Sequence, residues 1–290
     1  MLEPVYDGYF ADPFLARFGD EYFVYGTADP ARDDGTTFEV LRSPDLRHWR
    51  SAGSCLVPVA LELGADYWAP EVAFADGSYW LYYSVGHGID GHHIRVARSS
   101  SPIGPFDDLG LNLTPDESFA IDAHPFLDDD GSWYLYFAAD VLDGERPGTH
   151  LAVAPLHGMT RLGPTTAVLA PDADWQLYER DRLLYGRRRD WYTLEGPTVV
   201  KREGGYRLLF SGGSWEGAGY GVSAATASSP LGPWLHTSRT AEVLNSADTG
   251  LIGPGHCSVL HTPDGRDLLA FHAWNPDRTK RQFYLTDLPR

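Results

Sequence analysis

Cysteine is almost missing from this chain: Cys55 and Cys257 are the only 2 in 290 residues. A disulfide framework is thereby excluded, one bridge stays open, and a four-cysteine zinc site cannot be built. Bases are scarce beside acids, 23 against 40, and the formal net charge is −17 at pH 7. Nucleic acid and anionic membrane surfaces both call for clustered Lys and Arg, so neither is expected as a partner. No apolar run approaches the roughly 18 residues that a membrane-spanning helix requires. The opening MLEPVYDGYF lacks the basic and apolar segments of a secretory leader. The expectation is a cytoplasmic protein, or a secreted one whose leader has been removed, present as a monomer or small homo-oligomer. Long amphipathic helical periods, low-complexity stretches and linkers are also missing. Aromatic residues are plentiful at 13%, with 9 Trp, so a packed core is expected despite the acidity.

Short runs rich in Tyr, Trp, Phe, Val and Leu dominate, each bounded by turn formers. Glu21–Thr27, Ser78–Val85, Ser132–Ala138, Gly205–Ser211 and Arg266–His272 all follow a Gly- or Asp-bearing turn that suits a tight hairpin. Before each turn stands another short run, opened by an acid or His beside Pro or Gly. The openers are Ala11-Asp12-Pro13, Ala69-Pro70-Glu71, Asp122-Ala123-His124-Pro125, Glu195-Gly196-Pro197 and Pro254-Gly255-His256. Outer turns repeat as well: Ser101-Pro102-Ile103-Gly104-Pro105-Phe106 returns as Ser229-Pro230-Leu231-Gly232-Pro233-Trp234. Five copies of one antiparallel unit, none able to bury both faces alone, predict an all-β, five-bladed propeller over residues 1–290 with a central pocket. A β-sandwich is the alternative.

In a propeller the first strand of each blade lines the channel, so the openers would bring Asp12, Glu71, Asp122, Glu195 and His256 towards one axis. Four carboxylates and an imidazole in one pocket are costly unless paired, protonated or liganded, and such clusters mark functional sites. A pair of carboxylates among aromatic side chains suits glycoside hydrolysis, with one protonating the leaving oxygen and the other activating water. Trp68 and Trp215 are the better candidates for sugar platforms, while Trp175 and Trp191 are expected to pack. His87, His92 and His93 are read as a Gly-rich loop, and Arg187-Arg188-Arg189 as a solvated loop. The glycines around Tyr220 lack the strand–helix context of a dinucleotide fingerprint.

GYFADPF (Gly8–Phe14), YWAPEV (Tyr67–Val72), IDAHPF (Ile121–Phe126), TLEGP (Thr193–Pro197) and GPGHCSV (Gly253–Val259) together resemble the signatures of glycoside hydrolase family 43. The resemblance runs from Asp12 to about Tyr284. It implies an inverting glycosidase acting on plant cell-wall oligosaccharides, with Asp12 as general base, Glu195 as general acid and Asp122 tuning the acid's pKa. It further implies a supporting role for Glu71, and for His256 a place beside a hydrated calcium or sodium ion. Trp68, Trp215, His272 and Arg281 are the candidate substrate contacts, and no organic cofactor is expected. A long segment before Glu195, residues 174–192, suits a walled pocket and hence release of terminal α-L-arabinofuranose. Exo β-D-xylosidase, endo-1,5-α-L-arabinanase and a non-catalytic sugar-binding propeller are the alternatives.

Overall fold

The computed structural model describes residues 2–32 and 34–289. Five innermost strands, Ala11–Phe18, Asp66–Ala75, Ala120–Leu127, Arg187–Arg202 and Ile252–His261, each open a blade. Each pairs antiparallel with a second strand: Glu21–Thr27, Ser78–His87, Trp133–Val141, Gly205–Gly212 and Asp267–Trp274. Third strands follow at Phe38–Ser43, Asp90–Ser99, Gly148–His157, Gly221–Ala227 and Arg281–Asp287. The fifth blade has three strands. Its outer edge takes the chain's first residues instead, as the Val5 and Phe10 N–H groups donate to the carbonyls of Phe283 and Arg281, both at 2.8 Å. The first residues thus fasten the last blade to the first and close the ring.

Packing follows the blades. Five apolar clusters lie one between each adjacent pair, from Tyr25, Phe38, Leu81 and Tyr83 between the first two blades to Leu15, Val24, Leu268 and Phe283 between the last and the first. A second device repeats. Tyr25, Tyr82 and Tyr136 hold equivalent places in their second strands, opposite Phe14, Glu71 and His124. Each donates its hydroxyl to a carbonyl in an outer turn of the following blade: Pro102 at 2.6 Å, Met159 at 2.8 Å and Pro230 at 2.6 Å. The tyrosines of these strands therefore latch blade to blade and satisfy buried polar groups in doing so.

The fourth blade departs from the pattern. Its first strand runs 16 residues, and its early half pairs with Leu177–Leu184 as a hairpin. That hairpin stands against the third blade through a short parallel pairing of Gly148 with Tyr192 and Thr149 with Thr193. Two expectations are corrected here. Arg187-Arg188-Arg189 begins a strand, its arginines facing partners such as Asp181 and the Leu142 carbonyl. His87 ends a second strand, and His92 and His93 lie within a third, so they are not a loop.

Candidate active site

One backbone feature builds the channel floor. In the first strands, Ala11, Trp68, Ile121, Glu195 and Gly255 pair with Thr27, Ser84, Ala138, Ser211 and His272. The next residue in each strand, Asp12, Ala69, Asp122, Gly196 or His256, is a bulge in the left-handed region, with φ between 47° and 61°. Such a conformation costs a non-glycine residue about 1–3 kcal/mol and persists only where the surroundings hold it. Here the neighbouring blade holds it. The bulge N–H of Ala69 donates to Thr27 Oγ1 at 2.9 Å, that of Asp122 to Ser84 Oγ at 3.1 Å, and that of His256 to Ser211 Oγ at 2.8 Å. Asp12 N–H donates to His272 Nδ1 at 3.0 Å. The third blade offers Ala138 at this place, so Gly196 N–H turns to Asp122 Oδ2 at 2.9 Å. A methyl group where the other blades carry Thr, Ser or His thus leaves Asp122 as the acceptor that fixes the backbone beside Glu195.

The bulges aim Asp12, Asp122 and His256 inward together. Glu195 arrives one residue earlier in its strand and Glu71 two residues after Ala69, so the five openers are not equivalent positions as the repeat suggests. Glu71 sits one layer deeper, level with His124. The His124 Nε2 accepts Val199 N–H at 3.0 Å, so Nδ1 carries the proton and donates it to Glu71 Oε2 at 2.7 Å. Burial pushes the Glu71 carboxyl up, and His124 opposes that.

Asp12 is buried, yet ionised. Burial alone would raise its pKa, but the Arg281 guanidinium and His256 hold it well below the usual carboxylate range. Thr27 Oγ1 donates to its Oδ2 at 2.6 Å, and Arg281 Nη1 lies 3.2 Å from Oδ1. Glu195 has the opposite preference: burial, reinforced by the Asp122 charge, pushes it up to about 7. Asp122 is itself raised by burial. The imidazole of His256 lies among them, with Nδ1 3.4 Å from Asp12 Oδ1 and 3.9 Å from Asp122 Oδ2. Burial alone would make this imidazole neutral, but the surrounding carboxylates raise its pKa.

The structure corrects one assignment. His272 is 0% exposed, lies parallel to the Tyr220 ring and is pushed down to about 4 by burial, so it supports Asp12 from beneath and does not face a substrate. Arg281 bonds Asp12 and the Tyr9 hydroxyl, which accepts from its Nε at 3.0 Å, and its guanidinium lies over the Trp215 ring at 4.7 Å. Trp68 and Trp215 do line a cavity of about 80 Å³ with Glu195. Trp68 stacks on His92 at 3.5 Å and Trp215 on Trp274 at 5.9 Å, which holds both rings in place.

Tyr220 is a site residue that the sequence reasoning passed over. Its hydroxyl donates to Glu195 Oε1 at 2.6 Å. The ring fits there because residue 255 is glycine; a Cβ on Gly255 would stand 2.1 Å from it. The glycines around Tyr220 were a usable signal, since they mark close backbone approach and not a nucleotide loop. Thr27, Ser84 and Ser211 carried no such signal.

Asp122, Glu195 and His256 bring donor atoms within 4.8 Å of one another. Calcium takes six to eight oxygen ligands, and this donor set supplies few. An ion on His256 would also compete with the proton that the four carboxylates favour there.

The sequence pattern of the glycosyl hydrolases family 43 matches residues 1–288. The chain is 33% identical to the β-D-galactofuranosidase xynD of Aspergillus niger, over 99% of this chain and 80% of that protein. It is 28% identical to an extracellular exo-α-(1→5)-L-arabinofuranosidase of Streptomyces avermitilis, over 91% of this chain but only 54% of that one. Among solved structures, a thermostable family-43 glycoside hydrolase superposes with a TM-score of 0.81 at 28% identity, over 97% of this chain and 90% of the other. Five blades, a central cluster of acids and a match over nearly the whole chain lead to one conclusion: this protein belongs to glycosyl hydrolases family 43 and is a glycoside hydrolase.

Proposed function

We propose that this glycosidase works by inversion and releases terminal α-L-arabinofuranosyl residues from plant cell-wall oligosaccharides. The carrying observation is the placement of two buried carboxyls around one imidazole: Arg281 and His256 stand against Asp12 and favour its ionised form, while burial and the Asp122 charge favour the protonated form of Glu195. Asp12 takes the proton of a water as it attacks the anomeric carbon. Glu195 gives its proton to the glycosidic oxygen as that bond breaks, which is the division of labour an inverting glycosidase requires. Asp122 keeps the Glu195 carboxyl protonated and holds the adjoining Gly196 backbone. Tyr220 leaves one Glu195 oxygen bonded and the other to carry the proton. Exo attack is supported by the likeness to the exo-α-(1→5)-L-arabinofuranosidase of Streptomyces avermitilis at 28% identity.

A second reading concerns the sugar. The relative from Aspergillus niger is a β-D-galactofuranosidase at 33% identity. A β-D-galactofuranosyl ring shares the ring configuration of α-L-arabinofuranose and adds one hydroxymethyl group on the exocyclic carbon. Initial rates on the 4-nitrophenyl α-L-arabinofuranoside, β-D-galactofuranoside and β-D-xylopyranoside, beside linear arabinan, separate these. Turnover of the arabinofuranoside, with NMR showing the β anomer first, supports the proposal. A dominant xyloside rate, attack on arabinan chains alone, or retention overturns it. Loss of metal by chelation is expected to leave the rate within about twofold, and a larger loss recovered by calcium would place an ion beside His256.

A further inference from the structure

The cavity beside Glu195 is lined by the proposed acid and not by the proposed base. In an inverting enzyme these two groups work on opposite faces of the scissile sugar, so a cavity on the acid's side receives the leaving group. Two charged side chains beyond Glu195 face it, Asp140 and Arg182. They come from different elements. Asp140 stands near the end of the third blade's second strand, and Arg182 on the hairpin strand Leu177–Leu184.

Neither is used up by the protein. Asp140 Oδ1 accepts from Thr149 Oγ1 at 2.9 Å and Oδ2 from the Tyr185 hydroxyl at 2.8 Å. A carboxylate accepts about four hydrogen bonds, so acceptor capacity remains on each oxygen. The Arg182 guanidinium carbon lies over the rings of Tyr178 at 4.8 Å and Trp191 at 5.6 Å, with one loose ion pair from Nε to Glu179 at 3.5 Å. These cation–π contacts hold the group between two rings and leave its terminal N–H groups for a ligand. An acceptor and a donor fork lining one small cavity match neighbouring hydroxyls of a sugar ring, and neither suits an apolar aglycone.

We propose that Asp140 and Arg182 form the leaving-group subsite and that they select a leaving group that is itself a sugar, read through its hydroxyls. This rests on the assignment of Glu195 as the acid.

The test compares kcat/KM on 1,5-α-L-arabinobiose and on the 4-nitrophenyl arabinofuranoside for wild type, Asp140→Asn, Arg182→Gln and Tyr185→Phe. Asp140→Asn and Arg182→Gln are expected to lose about 10- to 100-fold on the disaccharide, mainly through KM, the loss being at least tenfold greater than on the aryl glycoside. Tyr185→Phe removes the hydroxyl that ties the hairpin to Asp140 and is expected to change the two substrates alike. Equal losses on both substrates, or a Tyr185→Phe profile matching that of Asp140→Asn, would reduce Asp140 to a tie for the hairpin and overturn the proposal. Calorimetry separates it from the functional reading. If the wild type turns over none of the sugars, that reading fails. Disaccharide binding to Asp12→Asn beside Asp12→Asn/Asp140→Asn still decides this one, with a tenfold weakening supporting it and equal affinity refuting it.

Discussion

Asp122→Asn is the perturbation with the cleanest arithmetic. It removes one charge while keeping shape, and Asn tolerates the left-handed backbone found there, with φ at 61°. The amide oxygen still accepts Gly196 N–H, so the backbone beside Glu195 stays fixed. What is lost is a negative charge whose oxygen lies within 4.8 Å of a Glu195 oxygen. At an effective dielectric of about 20, a full unit charge at this distance is worth roughly 3.5 kcal/mol, or about 2.5 pKa units. Asp122 is itself raised and shares its charge with His256, so a fall of about 1.5 units is the working figure. Glu195 must be protonated to act, so activity falls as pH rises through its pKa of about 7. In the variant that limb should move down to roughly pH 5.5, leaving about 3% of the acid protonated at pH 7 where the wild type has half. The expected loss in kcat/KM is therefore about 15-fold at pH 7 and under twofold at pH 5. A pH–rate profile on an oligosaccharide reads this directly. A loss of equal size at every pH would refute the charge argument and make Asp122 a scaffold alone.

Tyr220→Phe should move the same limb the other way, up by about 1 unit, because the lost hydrogen bond favoured the ionised carboxylate; a downward shift in the pH–rate profile would contradict it. Glu195→Gln should cost oligosaccharide turnover at least a hundredfold more than turnover of aryl glycosides with good leaving groups, which need little protonation, and equal losses would argue against an acid role. The same variant reports on stability. Glu195 has a raised folded-state pKa, so its native form is favoured below about pH 4.5 and penalised increasingly up to about pH 7. Removing it should add about 1–3 kcal/mol at pH 8 and little at pH 4, seen as a Tm gain confined to the higher pH. Gly255→Ala should destabilise by about 1–3 kcal/mol in denaturant unfolding and reduce activity, because the new methyl would overlap the Tyr220 ring.

The blade count and the three central acids were readable from the chain alone. Each blade repeats its turn chemistry locally, and Pro, Gly and Asp at fixed offsets announce where a strand starts. An acid beside Pro at such a start, repeated around a ring, has few structural uses, so Asp12, Asp122 and Glu195 stood out with their motifs. Tertiary structure decided the rest, because it depends on cross-strand register and on neighbouring blades. Asp12 and Asp122 occupy the bulge while Glu195 precedes it, an offset visible only once Ala11 faces Thr27 and Glu195 faces Ser211. Moving one residue along a strand changes where a side chain points, and local sequence does not reveal that register. His272 stood among the candidate substrate contacts; its ring instead lies buried where the fifth blade meets the first. Tyr220 reached Glu195 only because a glycine in the following blade made room. The protonation of the site belongs wholly to the folded chain. Identical carboxyl groups were set apart by burial with Arg281 and His256 at Asp12, and by burial with Asp122 at Glu195. Desolvation and nearby charge exist only once distant segments are brought together, and no single segment of the sequence encodes either.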